Sequence, residues 1–557
     1  MMYVQVLMDG PMPTSGRRLA PAYRTAPRAT RRVATVVVTL LALLGGMVAH
    51  AAQRVLHRAG TDDATTLDPH KVAYPGEITF MSDLFVGLTT LDAEAKAMPG
   101  CAESWTISPD GLSWTFRLRP GLRWSDGRAL QAADFVWSMQ RALRPETANP
   151  FAGRLFMIRE ARAVARGEVP PAKLGVRAPD PRTVVVDLEH PVPYLDEVLA
   201  TYGMPVPRHL VESRGDAWIA QGNFVSNGPF VLEEWRPNAF IRMRRNPQFY
   251  EAAGVKLDAV VHYPVTQPTT AIRRYQAGEL DFLISVPADQ VERLQPQFGT
   301  QLKIELAYGL EALAFNMRRG PTRDPRVRRA LSLAIDRDVL ARNVLREPRQ
   351  AAWGYVSPGV NRYPRAASVD FARWPAAQRQ VEARRLLQEA GYGPGTPLRL
   401  RLAFPANDVN RRIAVVLDAM WRQIGVRAEL QGREQRVLVA DIARGEFDAA
   451  RVLWLPGNSD AMAFLERLDG AAVGSSLNPS GYANARFDAL LAQASRQVDV
   501  ERRAALLFEA ETLALADQPA APLYWFVGRR LVSPQLKGWS PNPRGVHVSR
   551  FMEVPAR

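Results

Sequence analysis

Alternating apolar and polar positions indicate strands in the first half of the chain. Residues 113–118 (SWTFRL) alternate and residues 183–188 (TVVVDL) are rich in β-branched side chains, so both predict strands. Between them, residues 132–143 carry apolar side chains at helical spacing. Residues 229–235 and 239–243 are again strand-like and are separated by Arg-Pro-Asn, which predicts a hairpin.

The second half of the chain is more helical. Asp324 is placed as an N-cap before Pro325, and an apolar stripe over residues 326–345 predicts a helix. A further helix is predicted at residues 378–390, ended by a Gly-Tyr-Gly-Pro sequence. A strand–helix–strand unit follows at residues 398–404, 409–424 and 426–431. An α/β domain built from such units presents its ligand site at the carboxyl ends of the strands.

Composition is typical of a globular protein with more than one domain. The chain has 557 residues, 47% of them apolar, which is enough for two to four compact units. Its formal charge is +15, from 71 basic and 56 acidic residues. The basic residues are dispersed and no nucleic-acid-binding motif occurs, so this charge does not predict a nucleic-acid partner.

The first 51 residues are typical of an N-terminal extension with a cleavable secretory signal. Residues 33–48 are apolar, follow three arginines and precede the small-residue pattern Ala-His-Ala. Sixteen helical residues rise about 24 Å, which is shorter than a hydrocarbon core of about 30 Å. This length favours cleavage over the alternative, a membrane anchor, and therefore predicts a periplasmic protein.

Candidate catalytic, metal-binding and redox groups are missing from the sequence. It contains no HExxH, GxSxG or P-loop motif, and its seven histidines never fall at metal-ligand spacing on one helix. Cys101 is the only cysteine, so no intramolecular disulfide is expected, and no cysteine at the cleavage pattern could carry a lipid. We therefore predict no catalytic residue, no metal and no cofactor.

One long segment resembles a known family. Residues 102–127 (AESWTISPDGLSWTFRLRPGLRWSDG) are similar to a segment shared by the extracellular solute-binding proteins of family 5, the peptide- and nickel-binding family. Two segments, 205–214 (PVPRHLVESR) and 447–454 (FDAARVLW), resemble its periplasmic oligopeptide-binding branch, which serves ABC importers. Other matches follow in family order at residues 66–70, 83–88, 227–235, 246–258, 274–282, 324–337 and 522–533.

The resemblance implies an α/β fold of the periplasmic binding protein type II class, with two lobes, a hinge and an inserted third domain. By analogy, the inserted domain comprises residues 91–190 and the second lobe comprises residues 309–524. The first lobe is discontinuous and comprises residues 52–90, 191–308 and 525–557. The hinge strands are expected near residues 309 and 524. A peptide between the lobes would bind largely through main-chain hydrogen bonds, as an added strand.

The resemblance also implies where a ligand's amino terminus would bind. Family members that bind free peptides hold the α-ammonium with an aspartate, and Gly457 stands at that position here. Asp460 could substitute, or it could merely cap the following helix. Gln435 replaces a usual tryptophan, and residues 310–314 (LEALA) replace an aromatic-rich stretch. These differences favour murein peptides, N-blocked peptides or other amphipathic solutes as much as ordinary free-amine peptides.

Other candidate ligand-binding positions match the family. Arg451 takes the place of an arginine that faces the cleft and can balance a ligand carboxylate, the alternative being an ion pair with Asp448 or Glu446. Aromatic residues at the second lobe and the hinge are expected to form cleft walls, the alternative being that they belong to the core, as buried aromatic side chains more often do. The remaining candidates implied by the resemblance are Ala73, Tyr74 and Pro75 in a first-lobe loop, Asn410 and Arg411 at the carboxylate end, and the aromatic residues Trp454, Tyr524, Trp525 and Phe526.

These features together predict a monomeric substrate-binding subunit of an ABC transporter that is not an enzyme. It would capture peptides or peptide-like solutes between its lobes and deliver them to a membrane permease with associated ATPases. The alternative is a ligand-presenting sensor or murein-peptide scavenger on the same fold. A periplasmic hydrolase is a third hypothesis, which turnover of a peptide by the purified protein would support.

Overall fold

A ten-stranded sheet runs through the computed structural model, which describes residues 52–60, 63–72, 76–265, 267–341, 350–475 and 477–557. The predicted signal segment lies outside these residues, and none of the helices described is long and apolar enough to span a bilayer. The strands are β1 (Val55–Ala59), β2 (Thr89–Leu91), β3 (Ala97–Pro99), β4 (Ala102–Ile107), β5 (Ser113–Leu118), β6 (Val176–Asp180), β7 (Thr183–Asp187), β8 (Phe230–Arg236), β9 (Phe240–Arg245), β10 (Ala259–Tyr263), β11 (Phe282–Leu283), β12 (Leu302–Phe315), β13 (Leu398–Pro405), β14 (Val426–Arg433), β15 (Ala449–Trp454) and β16 (Ala520–Val532).

The large sheet has the order β14-β13-β15-β12-β16-β11-β1-β10-β9-β8. The predicted hairpin is confirmed, because β8 and β9 pair antiparallel. The helices are α1 (Glu77–Leu84), α2 (Ala132–Leu143), α3 (Ala161–Ala165), α4 (Leu195–Tyr202), α5 (Arg208–Arg214), α6 (Pro268–Gln276), α7 (Val291–Phe298), α8 (Pro325–Leu333), α9 (Arg337–Val339), α10 (Ala376–Glu389), α11 (Asp408–Arg422), α12 (Gln435–Arg444), α13 (Met462–Leu465), α14 (Ala485–Arg496) and α15 (Val500–Asp517).

The predicted strand–helix–strand unit is confirmed as β13, α11 and β14. The two strands pair in parallel over their whole length, and β15 is a second parallel neighbour of β13. The amphipathic helix α11 buries Ile413, Leu417 and Trp421, and its N-terminus is capped by Asn407, whose side chain accepts a hydrogen bond from the Asn410 amide. The carboxyl ends of three parallel strands therefore meet at one end of the sheet.

The helix predicted over residues 326–345 is interrupted in the structure, and its residues 342–345 lie outside the described part of the chain. Its start is confirmed, because the Asp324 carboxylate accepts the Arg326 amide at 2.8 Å. Helix α8 ends at Leu333, and α9 begins after Asp336, whose carboxylate caps it by accepting the Val339 amide at 3.0 Å. The Arg337 guanidinium donates to the Ser332 carbonyl at the end of α8, which stabilises the break.

The part of the chain predicted as the inserted domain contains a separate four-stranded sheet, β4-β5-β7-β6. Its buried side chains, such as Trp114 and Phe116, share one apolar cluster with first-lobe residues such as Leu84 and Phe230. The second lobe has its own cluster, which includes Trp421. The inserted sheet is therefore packed onto the first lobe, and the exact domain boundaries stay a prediction.

The two longest strands, β12 and β16, pair antiparallel at the place where the hinge is predicted. Glu311 on β12 is paired with Tyr524 on β16, so the two places where the chain is expected to pass between the lobes are neighbours in the sheet. The pairing is irregular between Leu306 and Leu310. A break in a ladder removes local hydrogen bonds and allows bending, so we expect lobe movement to occur there.

A buried ionic cluster holds the segment that follows β1. The guanidinium of Arg141 pairs with the Asp68 carboxylate at 2.6 Å and donates to Nδ1 of His70 at 2.9 Å. The other ring nitrogen of His70 lies 2.9 Å from the Met204 carbonyl oxygen and donates to it. Burial lowers the pKa of His70 from 6.5 to about 4, with Asp68 opposing the shift. His70 is therefore neutral at pH 7.

This cluster predicts acid sensitivity of the fold. Between pH 6.5 and about 4 the unfolded state binds a proton at His70 that the folded state does not, so stability falls as the pH falls through this range. The contribution of His70 to the free energy of unfolding is about 3 kcal/mol above pH 6.5 and is lost below about pH 4. Urea unfolding of His70→Gln should show a shallower loss of stability over this range than the parent protein. The exposed His190→Gln variant is the control, and equal slopes for all three proteins would contradict the prediction.

Candidate functional site

A cavity of about 600 Å³ opens at the carboxyl ends of β13, β14 and β15. Four candidates from the sequence line it, namely Asn410, Gln435, Arg451 and Trp454, and Glu311 joins them from β12. Ligands of α/β folds bind at this end of the strands. The structure therefore brings these four predicted residues together, and we call this space the strand-end cavity.

The charged centre of the strand-end cavity is an ion pair between neighbouring strands. Arg451 is 5% exposed, and its Nη2 donates to Glu311 Oε2 at 2.5 Å and to the Tyr524 hydroxyl at 3.1 Å. Burial alone would lower the pKa of Arg451, but Tyr524 and Glu311 raise it above its usual value. The guanidinium is therefore charged and is held by side chains of β12 and β16.

Part of the Arg451 guanidinium has no protein partner. Within the described residues, its Nε and Nη1 atoms are buried without a hydrogen bond. The two partners considered from the sequence are engaged elsewhere, because Asp448 pairs with Arg401 and Glu446 pairs with Arg444. Buried donors without a partner carry a free-energy cost that a bound acceptor would remove.

The predicted aromatic residues divide between core and hinge. Trp454 is 2% exposed and packs on Tyr355 with ring centroids 5.4 Å apart. Tyr524 and Trp525 are also buried, whereas Phe526 is partly exposed. A β-carbon at Gly309 would lie 3.0 Å from Phe526, so glycine permits close packing at the irregular part of β12. A role of these rings as cleft walls stays a prediction.

A second cavity, of about 1060 Å³, lies beside the first and contains Gly457. Its walls come from residues 150–162 of the predicted inserted domain and residues 455–477 of the predicted second lobe. Leu455 and Arg467 line both cavities, so the two spaces are adjacent. We call this space the interdomain cavity.

Asp460 is held inside the second lobe. Its carboxylate forms a two-point ion pair with Arg503 at 2.7 and 2.8 Å, and both side chains are buried. It also accepts the amide of Met462, the first residue of α13, at 2.9 Å, as a capping side chain does. Asp460 lines neither of the two cavities. Its contacts therefore favour the structural interpretation over ammonium binding.

The remaining candidates differ in position. Ala73, Tyr74 and Pro75 lie outside the described residues. Arg411 is exposed on α11 and does not line either cavity. Sequence reasoning missed Glu311, Arg154 and Arg467 as cavity residues. Glu311 could have been noticed as a charge within an apolar strand, but the two arginines carry no local signal in so arginine-rich a chain.

A network of polar contacts centred on Glu197 joins the predicted lobes. The Glu197 carboxylate on α4 accepts hydrogen bonds from the Ser459 amide at 3.2 Å and from the Ser459 hydroxyl. It also accepts from Asn361 at 2.9 Å and pairs with Arg544 at 3.2 Å. Glu197 and Arg544 belong to the predicted first lobe, whereas Ser459 and Asn361 belong to the predicted second lobe. This network therefore links the two lobes in their present arrangement.

Comparison with known proteins decides the family. The model of the bacterial extracellular solute-binding proteins, family 5 (middle), matches residues 96–476. The chain belongs to this family. Two relatives from Escherichia coli (strain K12) are similar over nearly the whole chain. The Probable deoxycholate-binding periplasmic protein YgiS is 35% identical, with coverage of 91% of this chain and 94% of the relative. The Periplasmic oligopeptide-binding protein OppA is 32% identical, with coverage of 92% of this chain and 96% of the relative.

Solved family 5 structures confirm the type II fold. The unliganded open form of the murein tripeptide-binding protein MppA gives a TM-score of 0.83 at 33% identity, with 91% of this chain and 99% of that chain covered. Another structure, of Escherichia coli MppA, gives 0.72 at 34% identity, with 90% and 98% covered.

Proposed function

We propose that the chain captures a solute between its two lobes and delivers it to the permease of an ABC importer. The observation that carries this proposal is the pair of adjacent cavities, the first of which contains Arg451, hydrogen-bonded to Glu311 of β12 and to Tyr524 of β16. A guest that contacts both lobes would bind the closed form more tightly than the open one and would shift the population towards closure.

Peptides or peptide-like solutes are the ligands that the family relationship supports. OppA is named for oligopeptides and MppA for a murein tripeptide. The high TM-score with MppA also supports the second candidate function, scavenging of murein peptides or their presentation to a receptor. YgiS is named for deoxycholate, so relatives of similar identity are not restricted to peptides.

The cellular setting follows the same relatives. They are named as periplasmic proteins, and we propose export of this chain by the signal within residues 1–51. The family consists of binding proteins, and we propose that this chain performs no catalysis and acts as a monomer. We further propose the lobe and inserted-domain boundaries predicted above, with residues 309 and 524 at the hinge.

Native mass spectrometry of the protein purified from its host tests this function. We expect a co-purifying guest of peptide-like or amphipathic mass that is lost on mild denaturation, since a closed cleft releases its guest slowly. Protein that has been unfolded, washed and refolded is the matched control and should carry no guest. A metal complex or a sugar as the only guest would contradict the ligand class, and hydrolysis of an added peptide would contradict the binding-only role.

A further inference from the structure

Two arginine side chains dominate the charge of the interdomain cavity. Arg154 comes from the inserted domain, and Arg467 comes from the second lobe. Neither has a carboxylate within 4.0 Å among the described residues, and Arg467 makes a weak contact from Nη2 to the Leu455 carbonyl at 3.5 Å. Arg162 also lines the cavity but lies over the Phe156 ring at 5.0 Å.

The acidic residues of this cavity do not neutralise the two guanidinium groups by direct contact. Glu466 and Asp469 line the same space. Asp469 accepts the Ala471 amide at 2.9 Å as a helix cap, and Glu466 forms no ion pair within 4.0 Å among the described residues. Burial raises the pKa of Glu466, although Arg467 and Arg154 oppose that shift. The cavity is therefore left with guanidinium donors that a ligand anion can use.

Glycine at position 457 is what allows one of these cations to approach. A β-carbon there would overlap the guanidinium of Arg154, so any larger residue would displace that side chain. Arg154 thus packs against the second-lobe backbone at Gly457 while belonging to the inserted domain. The Arg154 guanidinium therefore lies where the inserted domain meets the second lobe, and a guest in the interdomain cavity would contact both.

The wall next to these cations is apolar and exposed. Ten large apolar side chains are exposed in the described part of the chain, and five of them line the two cavities. Such clustering is unlike the scattered exposure that is normal on a surface and is a sign of a ligand or partner site. The five are Val439, Leu453, Leu455, Val473 and Leu477.

From this arrangement we propose that the interdomain cavity binds the anionic end of an amphipathic carboxylate, whose apolar body lies along Leu453 and Leu455. This proposal rests on the proposed capture function and narrows its ligand class. Two guanidinium groups beside an apolar strip complement a carboxylate on an apolar body and repel an ammonium group. An N-acylated acidic peptide and a sterol-like acid share this chemistry.

Calorimetric titration with matched probes tests the proposal. The probes are a free-amine apolar tripeptide with an amidated C-terminus, the same tripeptide amide N-capped with a succinyl group, deoxycholate below its micelle concentration, and the neutral amide of deoxycholate. We expect at least one carboxylate probe to bind at least tenfold more tightly than its matched partner, because a charge-assisted hydrogen bond is lost in the partner. The tighter carboxylate identifies whether the source is a peptide or a sterol-like acid.

Variants place the effect at this cavity. Arg154→Gln and Arg467→Gln should each weaken the carboxylate probe by about tenfold, whereas Arg486→Gln should leave it unchanged, because Arg486 pairs with Glu509 on the surface. Equal binding of the matched probes, or no effect of either cavity variant, would overturn the proposal while the capture function stands. Failure of every probe, together with the absence of any guest in native mass spectrometry, would overturn both.

Discussion

Replacement of Arg503 by alanine is expected to lower the free energy of unfolding by about 3–5 kcal/mol. The change removes both donors that neutralise Asp460 and leaves a carboxylate that is only 4% exposed without a cation. Breaking a buried pair from one side is costly because the remaining charge has lost both water and its partner. Urea unfolding of the purified variant measures the effect.

The neighbouring Arg502→Ala variant is the matched control for Arg503. Arg502 is exposed on the same helix, so its replacement should change stability by no more than about 0.5 kcal/mol. If Arg503→Ala were as stable as the parent and instead bound free-amine peptides more tightly, Asp460 would be a ligand group. That outcome would restore the ammonium-binding hypothesis for this aspartate.

Loss of the Arg451 guanidinium is expected to weaken guest binding by about 1.5–3 kcal/mol, the scale of a hydrogen bond to a charged group. The reason is that Nε and Nη1 have no partner among the described residues and the side chain lines the strand-end cavity. The single variant Arg451→Ala would also leave Glu311 unpaired. The double variant Arg451→Met/Glu311→Gln removes both charges and separates binding from stability.

Calorimetry with the guest identified by mass spectrometry measures this second effect. Arg401→Ala is the control, since Arg401 pairs with Asp448 and does not line the strand-end cavity. We expect Arg401→Ala to retain the parent affinity and the double variant to lose it. An unchanged affinity in the double variant would assign Arg451 to a purely structural pair between the hinge strands.

Local structure followed from sequence where one short segment contains both cause and effect. The apolar spacing of residues 132–143 and the Asp324 cap are local signals, and both elements appear as predicted. The break after Leu333 was missed because its stabilisation comes from Asp336 and from Arg337 turning back on Ser332. A periodic apolar stripe continues across such a break and conceals it.

The site was predictable only in part, because its partners are distant in sequence. Family resemblance brought Arg451 and Gln435 to the strand-end cavity, but it did not give Glu311, which is 140 positions from Arg451. The resemblance identified Gly457 as standing where the family has an aspartate. It did not identify Arg154, which packs against Gly457 from the predicted inserted domain. Such pairings depend on tertiary packing between segments that are distant in sequence, which no local pattern records.

We propose that two lobes close over a guest at the hinge expected in β12 and β16. Small-angle X-ray scattering of one preparation, before and after saturation with its identified guest, tests this closure most directly. We predict a smaller radius of gyration in the saturated protein, because the lobes move together around the guest. Identical scattering profiles at full saturation would contradict the account.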